Sequence, residues 1–436
     1  MKVFLKQNAH FILLLFSWVI AGFILTALAD VIVVCTFLLL KSKNRYLELI
    51  IAFCLLLIFA DNRHHHYNFA RDVKEVVLVL LTLFTLFDTK QFPQRSNLFY
   101  PFTAFLVLSL IMTYRHPTPF ISFQKAVSYI LIFTIFPNYF VKLLNENAEK
   151  FLRSFFIFFT GVMFIGLTMV VWWNKEVFLV GRYNGMLGNP NGVGSYCTLF
   201  SILLAAALFY YPTLFNKSEV LLMICIIALS VLLSSSRNAI FSILIFIFFK
   251  RFYKMSHIAG FAIVLISTLL FQLVSQHLPD IISSIGLGKY FRVEHLDDGS
   301  GRLLAWRFGW DEIQRNFLFG RGFSYEEYYF TLNKELLSSE GHQGGIHNTY
   351  LSIWMNTGLA GLILFLVGLL RSFFKAASNC YLALPALFAI LFSIMFESWF
   401  VGSLNPFTIL AVFLLTLLQF KKPHDSEKEK DLIPLF

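Results

Sequence analysis

Charge is what this chain has least of. Of its 436 residues only 14% are Asp, Glu, Lys or Arg, while 58% are hydrophobic and 18% aromatic. A water-soluble domain carries about 25% charged residues, so that class is excluded. Paired cysteine is missing too. Cys35, Cys54, Cys197, Cys225 and Cys380 all lie inside apolar runs and form no CxxC pair, which removes a disulfide scaffold and a thiolate metal site and leaves small core residues. The apolar runs do not alternate with polar residues, so a transmembrane β-barrel is excluded as well. No internal repeat is visible.

Long continuous apolar runs separated by short charged clusters are what remains. Hydrocarbon offers the backbone no hydrogen-bond partner, so runs of this length must close their own bonds as helices. The fold class is therefore all-α, a polytopic transmembrane bundle of about 12–14 spans. Lys2, Lys6 and the stretch ending in "ALAD" have the form of a cleavable signal. "VIVVCTFLLL" follows at once, however, and a retained helical hairpin is the simpler reading.

The formal charge of +10 would suggest nucleic acid in a soluble protein. Here the basic residues crowd the inter-helix loops, where positive-inside bias accounts for them and nucleic acid is not a partner. With the N-terminus cytoplasmic and the spans alternating, "KSKNR", Lys90, Arg95, Lys142, Lys150, Arg153, "KRFYK", Arg371 and Lys375 fall inside. The same parity puts "VGRYNGMLGNPNG" (180–192), "SSSRN" (234–238) and one long polar loop on the outer face. The chain then divides into an N-terminal bundle (1–275), the outer loop (276–346), C-terminal transmembrane helices (347–420) and a cytoplasmic tail (421–436).

Spans beginning near Asn191, Asn238 and Asn348 all start from the outer face and turn their N-termini toward it. Unpaired amides and the positive end of the helix dipole favour an anion there. Arg182 precedes the first, Arg237 opens the second and His347 the third, with Arg302 supplied by the loop; together they would hold a diphosphate. Each has a plainer use. Arg237 could snorkel to headgroups and Arg182 could be a solvated loop charge. Asn189 and Asn191 suit turn and cap before ligand contact. His347 could bond a carbonyl while Asn348 caps its helix, or act as a general base near neutrality. Leu303, Leu304, Trp306, Trp310, Ile313 and Phe317 predict an amphipathic loop helix on the outer leaflet, started by Arg302. Arg321 is a weaker binding candidate. Glu397 in "MFESWF" is an acid near hydrocarbon, either functional or structural. "RHHHY" reads as a polar outer loop, not a metal site.

The order of an arginine in "GRYNGMLGNPNG", an arginine in "SSSRN", a loop with "SGRLLAW" and "GRG", then "HNTYL" and "TGLAG" resembles the O-antigen ligase and polymerase superfamily of membrane glycosyltransferases. The resemblance covers roughly residues 175–400. It implies a bacterial inner-membrane enzyme with its site facing the periplasm. It also implies transfer, with inversion and without metal or other cofactor, of a glycan from undecaprenyl diphosphate to lipid A core or another glycan. In that scheme Arg237, Arg302 and His347 are catalytic. Arg182, Asn189, Asn191, Asn348 and Arg321 bind substrate, and membrane lipids surround the whole. Ligase, polymerase and protein O-oligosaccharyltransferase stay open, since Thr349 and the glycine spacing after it do not separate them. A lipid-linked glycan flippase is the non-enzymatic alternative. Such a protein would place ionisable groups at mid-membrane and often repeat its halves.

Overall fold

The computed structural model describes residues 8–256, 258–260, 262–263, 266, 284, 302–340, 342, 344–402 and 404–421. It is an all-α polytopic membrane protein. Helices Pro119–Trp172, Pro190–Tyr210, Lys217–Ser234 and Thr349–Ala377 are long and apolar enough to cross a bilayer, and shorter apolar helices include Ala9–Ile24, Ala383–Phe396 and Pro406–Gln419. The span expected around Ile266 and the start of the long loop fall mostly outside the described residues.

Three expected spans differ in detail. The runs on either side of Lys142 to Arg153 join into one 54-residue element, which would measure about 80 Å if straight. Asn147, at φ −165 and ψ 85, breaks it, and its side chain caps the second half through the amide of Lys150 at 2.9 Å. The run around Phe105 yields only the 10-residue helix Thr103–Met112, flanked by 3-10 turns.

Caps fix where the helices begin. Asn189 and Asn405 each precede a proline at the first helical position, and Asn216 with Glu219 forms a capping box. Polar bonds then sort the connections into two ends. At one, Tyr46 and Lys41 meet Asp88, Lys142 reaches Gln91 at 3.0 Å and Arg153 reaches Leu214 O at 2.6 Å. At the other, Gly188 N bonds Asp61 at 2.8 Å, His64 pairs with Glu176 at 2.7 Å and Ser122 bonds Phe323 O at 2.7 Å. His66 packs there against Phe23 and Trp173, so the histidine run is used in packing and pairing. The first end carries the basic clusters. The second gathers the segments that charge parity assigned to the outer side.

The loop helix Arg302–Arg315 forms, and its apolar stripe is divided between the protein interior and the surface. Ala305, Gly309, Glu312 and Ile313 are buried, whereas Leu303 and Trp310 stay exposed. Close approach explains this. A Cβ on Gly309 would lie 2.3 Å from Ile346 Cδ1, so glycine lets this face of the helix come close to the body, where Trp306 also donates to Ile346 O at 3.0 Å.

Candidate active site

Arg182 is positioned by a hairpin too small to read from hydropathy. Leu179 pairs with Arg182 and Phe178 with Tyr183, and the two linking residues both have positive φ, Val180 at 51 and Gly181 at 71. This is the turn type that matches strand twist in two-residue hairpins. It swings the guanidinium onto the neighbouring interhelical turn, where Nε donates to Ser234 O at 2.9 Å and Nη2 to Ser235 O at 3.3 Å. Nη2 also donates to Asn191 Oδ1 at 2.9 Å. Ser235 is left-handed at φ 48, closing Lys217–Ser234 so tightly that Arg237 already opens the next helix. Arg182 and Arg237 therefore share one turn. That turn is tied onward, since Asn238 Nδ2 donates to Ser393 O at 3.1 Å near the end of helix Ala383–Phe396.

Glu397 caps that same helix, and it is where the site closes. Arg302 Nη2 donates to its Oε1 at 2.8 Å, and His347 Nδ1 lies 3.4 Å from its Oε2. Thr349 Oγ1 donates to its backbone oxygen at 2.8 Å. Burial alone would push this carboxyl up. The hydrogen bond from His347 and the charges of His347, Arg302 and Arg182 outweigh burial and hold it below the usual glutamate range. Arg302 also rests over the Phe396 ring, 5.8 Å from its centroid. Three cation-bearing segments far apart in sequence thus converge on one ionised acid.

His347 sits at φ 48, a left-handed conformation that an ordinary side chain holds only when its surroundings enforce it. Asn348 caps the helix behind it by accepting from Leu351 N at 3.1 Å. In front, Gly344, at φ 118, leaves the imidazole edge open. A Cβ there would stand 2.8 Å from His347 Nε2. The ring thus offers Nδ1 to Glu397 and Nε2 to a space that only glycine keeps clear. His342 braces this loop through a 3.1 Å contact with Gly345 O.

The other sequence candidates take supporting positions. Asn189 spends its side-chain oxygen on Gly192 N at 2.7 Å as a cap, and Asn191 serves Arg182. Arg321 turns to Glu312, 3.4 Å away, a buried acid that also accepts from Tyr325 at 3.0 Å. Among the described residues no bond joins Arg321 to the Glu397 cluster. Glu397 was legible only as an acid beside hydrocarbon; nothing in its local sequence names its partners. Glu326 gave no signal at all. It is half-buried beside Ile346 and His347, and its loss of solvent raises its carboxyl, with the Ile346 amide opposing and Glu327 reinforcing that shift. Among the described residues there is no group of three or more His, Cys, Asp or Glu disposed to hold a metal.

A membrane-embedded helical bundle with arginines and a histidine gathered around a buried acid at one end is the class that fold and site define. Residues 220–366 match the family model described as O-antigen ligase, and over this segment the resemblance to the O-antigen ligase superfamily is borne out. The matched span contains Arg237, Arg302 and His347; Arg182 and Glu397 lie outside it. No curated protein matches the chain.

Proposed function

We propose that the protein is a glycosyltransferase that moves a glycan from a polyprenyl diphosphate, undecaprenyl diphosphate in bacteria, to an acceptor at the extracytoplasmic face of the inner membrane. The matched family is described as O-antigen ligase, so the ligase reaction is our first reading, with lipid A core proposed as acceptor. Sidedness is supported by the basic clusters, which collect at the end opposite the site.

The observation that carries the reading is the meeting of Arg302 and His347 on Glu397, with Arg182 in electrostatic reach. A diphosphate leaving group needs cations already in place as its bond to the sugar breaks. Arg302, Arg182 and Arg237 supply them, arginine being permanently charged and shaped for paired phosphate contacts. The acceptor hydroxyl needs a base on the opposite side of the sugar carbon. Glu397 takes the Nδ1 proton as hydrogen-bond acceptor, which leaves the Nε2 lone pair facing the space beneath Gly344. His347 removes the hydroxyl proton, the oxygen forms the new glycosidic bond as the bond to diphosphate breaks, and the anomeric configuration inverts. Neither the base nor the cations require a metal in this scheme.

The test is transfer by His347→Ala and Arg302→Ala at membrane abundance equal to wild type. Both should lose surface glycan and accumulate its lipid-linked precursor. Full transfer by both variants would remove the site. In a deletion strain, absence of all long chains from lipid A core identifies a ligase, single-repeat caps a polymerase, and unmodified proteins an oligosaccharyltransferase.

A further inference from the structure

Helix Thr349–Ala377 is broken at Gly358, where φ is 73 and ψ −177. An intact helix would bond Leu359 N to Met355 O and Ala360 N to Asn356 O. The loop segment after Arg302–Arg315 replaces both bonds by four of its own. Leu359 N donates to Phe317 O at 2.9 Å and Ala360 N to Leu318 O at 3.2 Å, while Met355 O accepts from Arg321 N at 3.0 Å and Asn356 O from Gly322 N at 2.9 Å. Every backbone group freed by the break is thereby paired again, as a non-aqueous setting demands. Glycine is required on both sides, because a Cβ on Gly358 would fall 2.1 Å from Leu318 O and one on Gly320 2.6 Å from the Asn356 carbonyl carbon.

This stitch carries a carboxylate to the residue before His347. Asn356 Oδ1 accepts from Glu326 N at 2.8 Å, and Glu326 Oε1 in turn accepts from Ile346 N at 2.9 Å. Trp306 Nε1 holds the other side of the same residue through Ile346 O at 3.0 Å. Gly345 makes room for the acid, since a Cβ there would stand 2.7 Å from Glu326 Oε1. A half-buried carboxyl spent on one backbone amide gives up part of its hydration for that contact. The amide it serves belongs to the residue that precedes the left-handed His347.

We propose that Glu326, docked by the break at Gly358, is a positioning residue that fixes Ile346 and so holds the His347 imidazole in register with Glu397. The inference rests on His347 acting as the base. It predicts loss of turnover without loss of donor binding. The full-length protein in vesicles serves for both readouts: transfer from lipid-linked glycan extracted with its acceptor from the host membranes, and binding of undecaprenyl diphosphate. Glu326→Ala should lower turnover about 10- to 100-fold, the cost of misplacing a catalytic group by about an ångström, with binding within about twofold of wild type. Glu326→Gln keeps an oxygen for Ile346 N and should recover most of that loss. Should the alanine variant fail to reach the membrane, Glu326→Met against Glu326→Gln makes the same comparison at nearly constant size. Wild-type turnover in Glu326→Ala or Glu326→Met beside an inactive His347→Ala overturns the positioning role alone. So does a parallel fall in binding and turnover, which marks a merely structural residue. An active His347→Ala instead overturns the base on which the inference rests.

Discussion

Replacing Glu397 by glutamine keeps the size of the side chain and removes the one negative charge on which Arg302 and His347 meet. At the observed 2.8 and 3.4 Å, the Arg302 pair, and the His347 pair once the imidazole has taken its proton, are each worth at most about 5–6 kcal/mol at an effective dielectric of 20. Desolvation consumes much of this, and hydrogen bonds to charged groups net about 1.5–3 kcal/mol. Loss of one such contact from the transition state slows transfer about 10- to 150-fold. The loss grows if the amide NH2 turns toward His347, because the imidazole must then carry its proton on Nε2, where the base is needed. An asparagine in place of the aspartate of a serine-protease triad costs about 10⁴ by that route. Initial rates in membranes matched for protein, with lipid-linked donor measured alongside, would read the effect. A Glu397→Gln variant transferring at the wild-type rate would show that the acid neither orients the histidine nor holds the arginine.

Other outcomes follow from the same geometry. Gly344→Ala should cut transfer per folded molecule at least about tenfold and lower the thermal midpoint as well, because the added methyl occupies the space before His347 Nε2 and strains a φ of 118. Gly358→Ala should act on stability first, losing about 1–3 kcal/mol for the backbone conformation alone, seen as a lower melting temperature and earlier proteolysis of the 302–340 segment. Asn189→Ala removes a helix cap and should cost about 1 kcal/mol; unchanged transfer per folded molecule would assign Asn189 to structure and not to donor contact. The carboxyl of Glu397 is held below its ordinary 4.5, so its contribution to stability is complete above that value and disappears as pH falls through the lower folded value. Melting temperatures of the detergent-solubilised protein should therefore drop in acid more steeply for wild type than for Glu397→Gln.

Much of the architecture was legible because its cause is local. Asn348 and Asn189 could be read as caps from their places before apolar runs, and the sides of Arg182, Arg237 and His347 from the parity of charged loops. What could not be read locally was whatever depended on another segment's shape. The stripe with Leu303 and Trp310 announced a helix for the outer leaflet, but not that Gly309 lets its neighbouring face come close to Ile346. Folding also places buried Glu312 beside Arg321, a pairing no local pattern announces. The left-handed turn at Val180 and Gly181 that delivers Arg182 occupies too few residues to register as a strand pair in hydropathy.

Sequence by itself determined that this chain lies in a membrane, that it is helical, and which ends of its helices share a side, because lipid tests every run for length and polarity one segment at a time. Tertiary structure alone decided that Arg302 and His347 meet on Glu397 and that a loop completes the helix broken at Gly358. Those contacts join residues tens of positions apart. Their energies come from burial and distance, which no single segment contains.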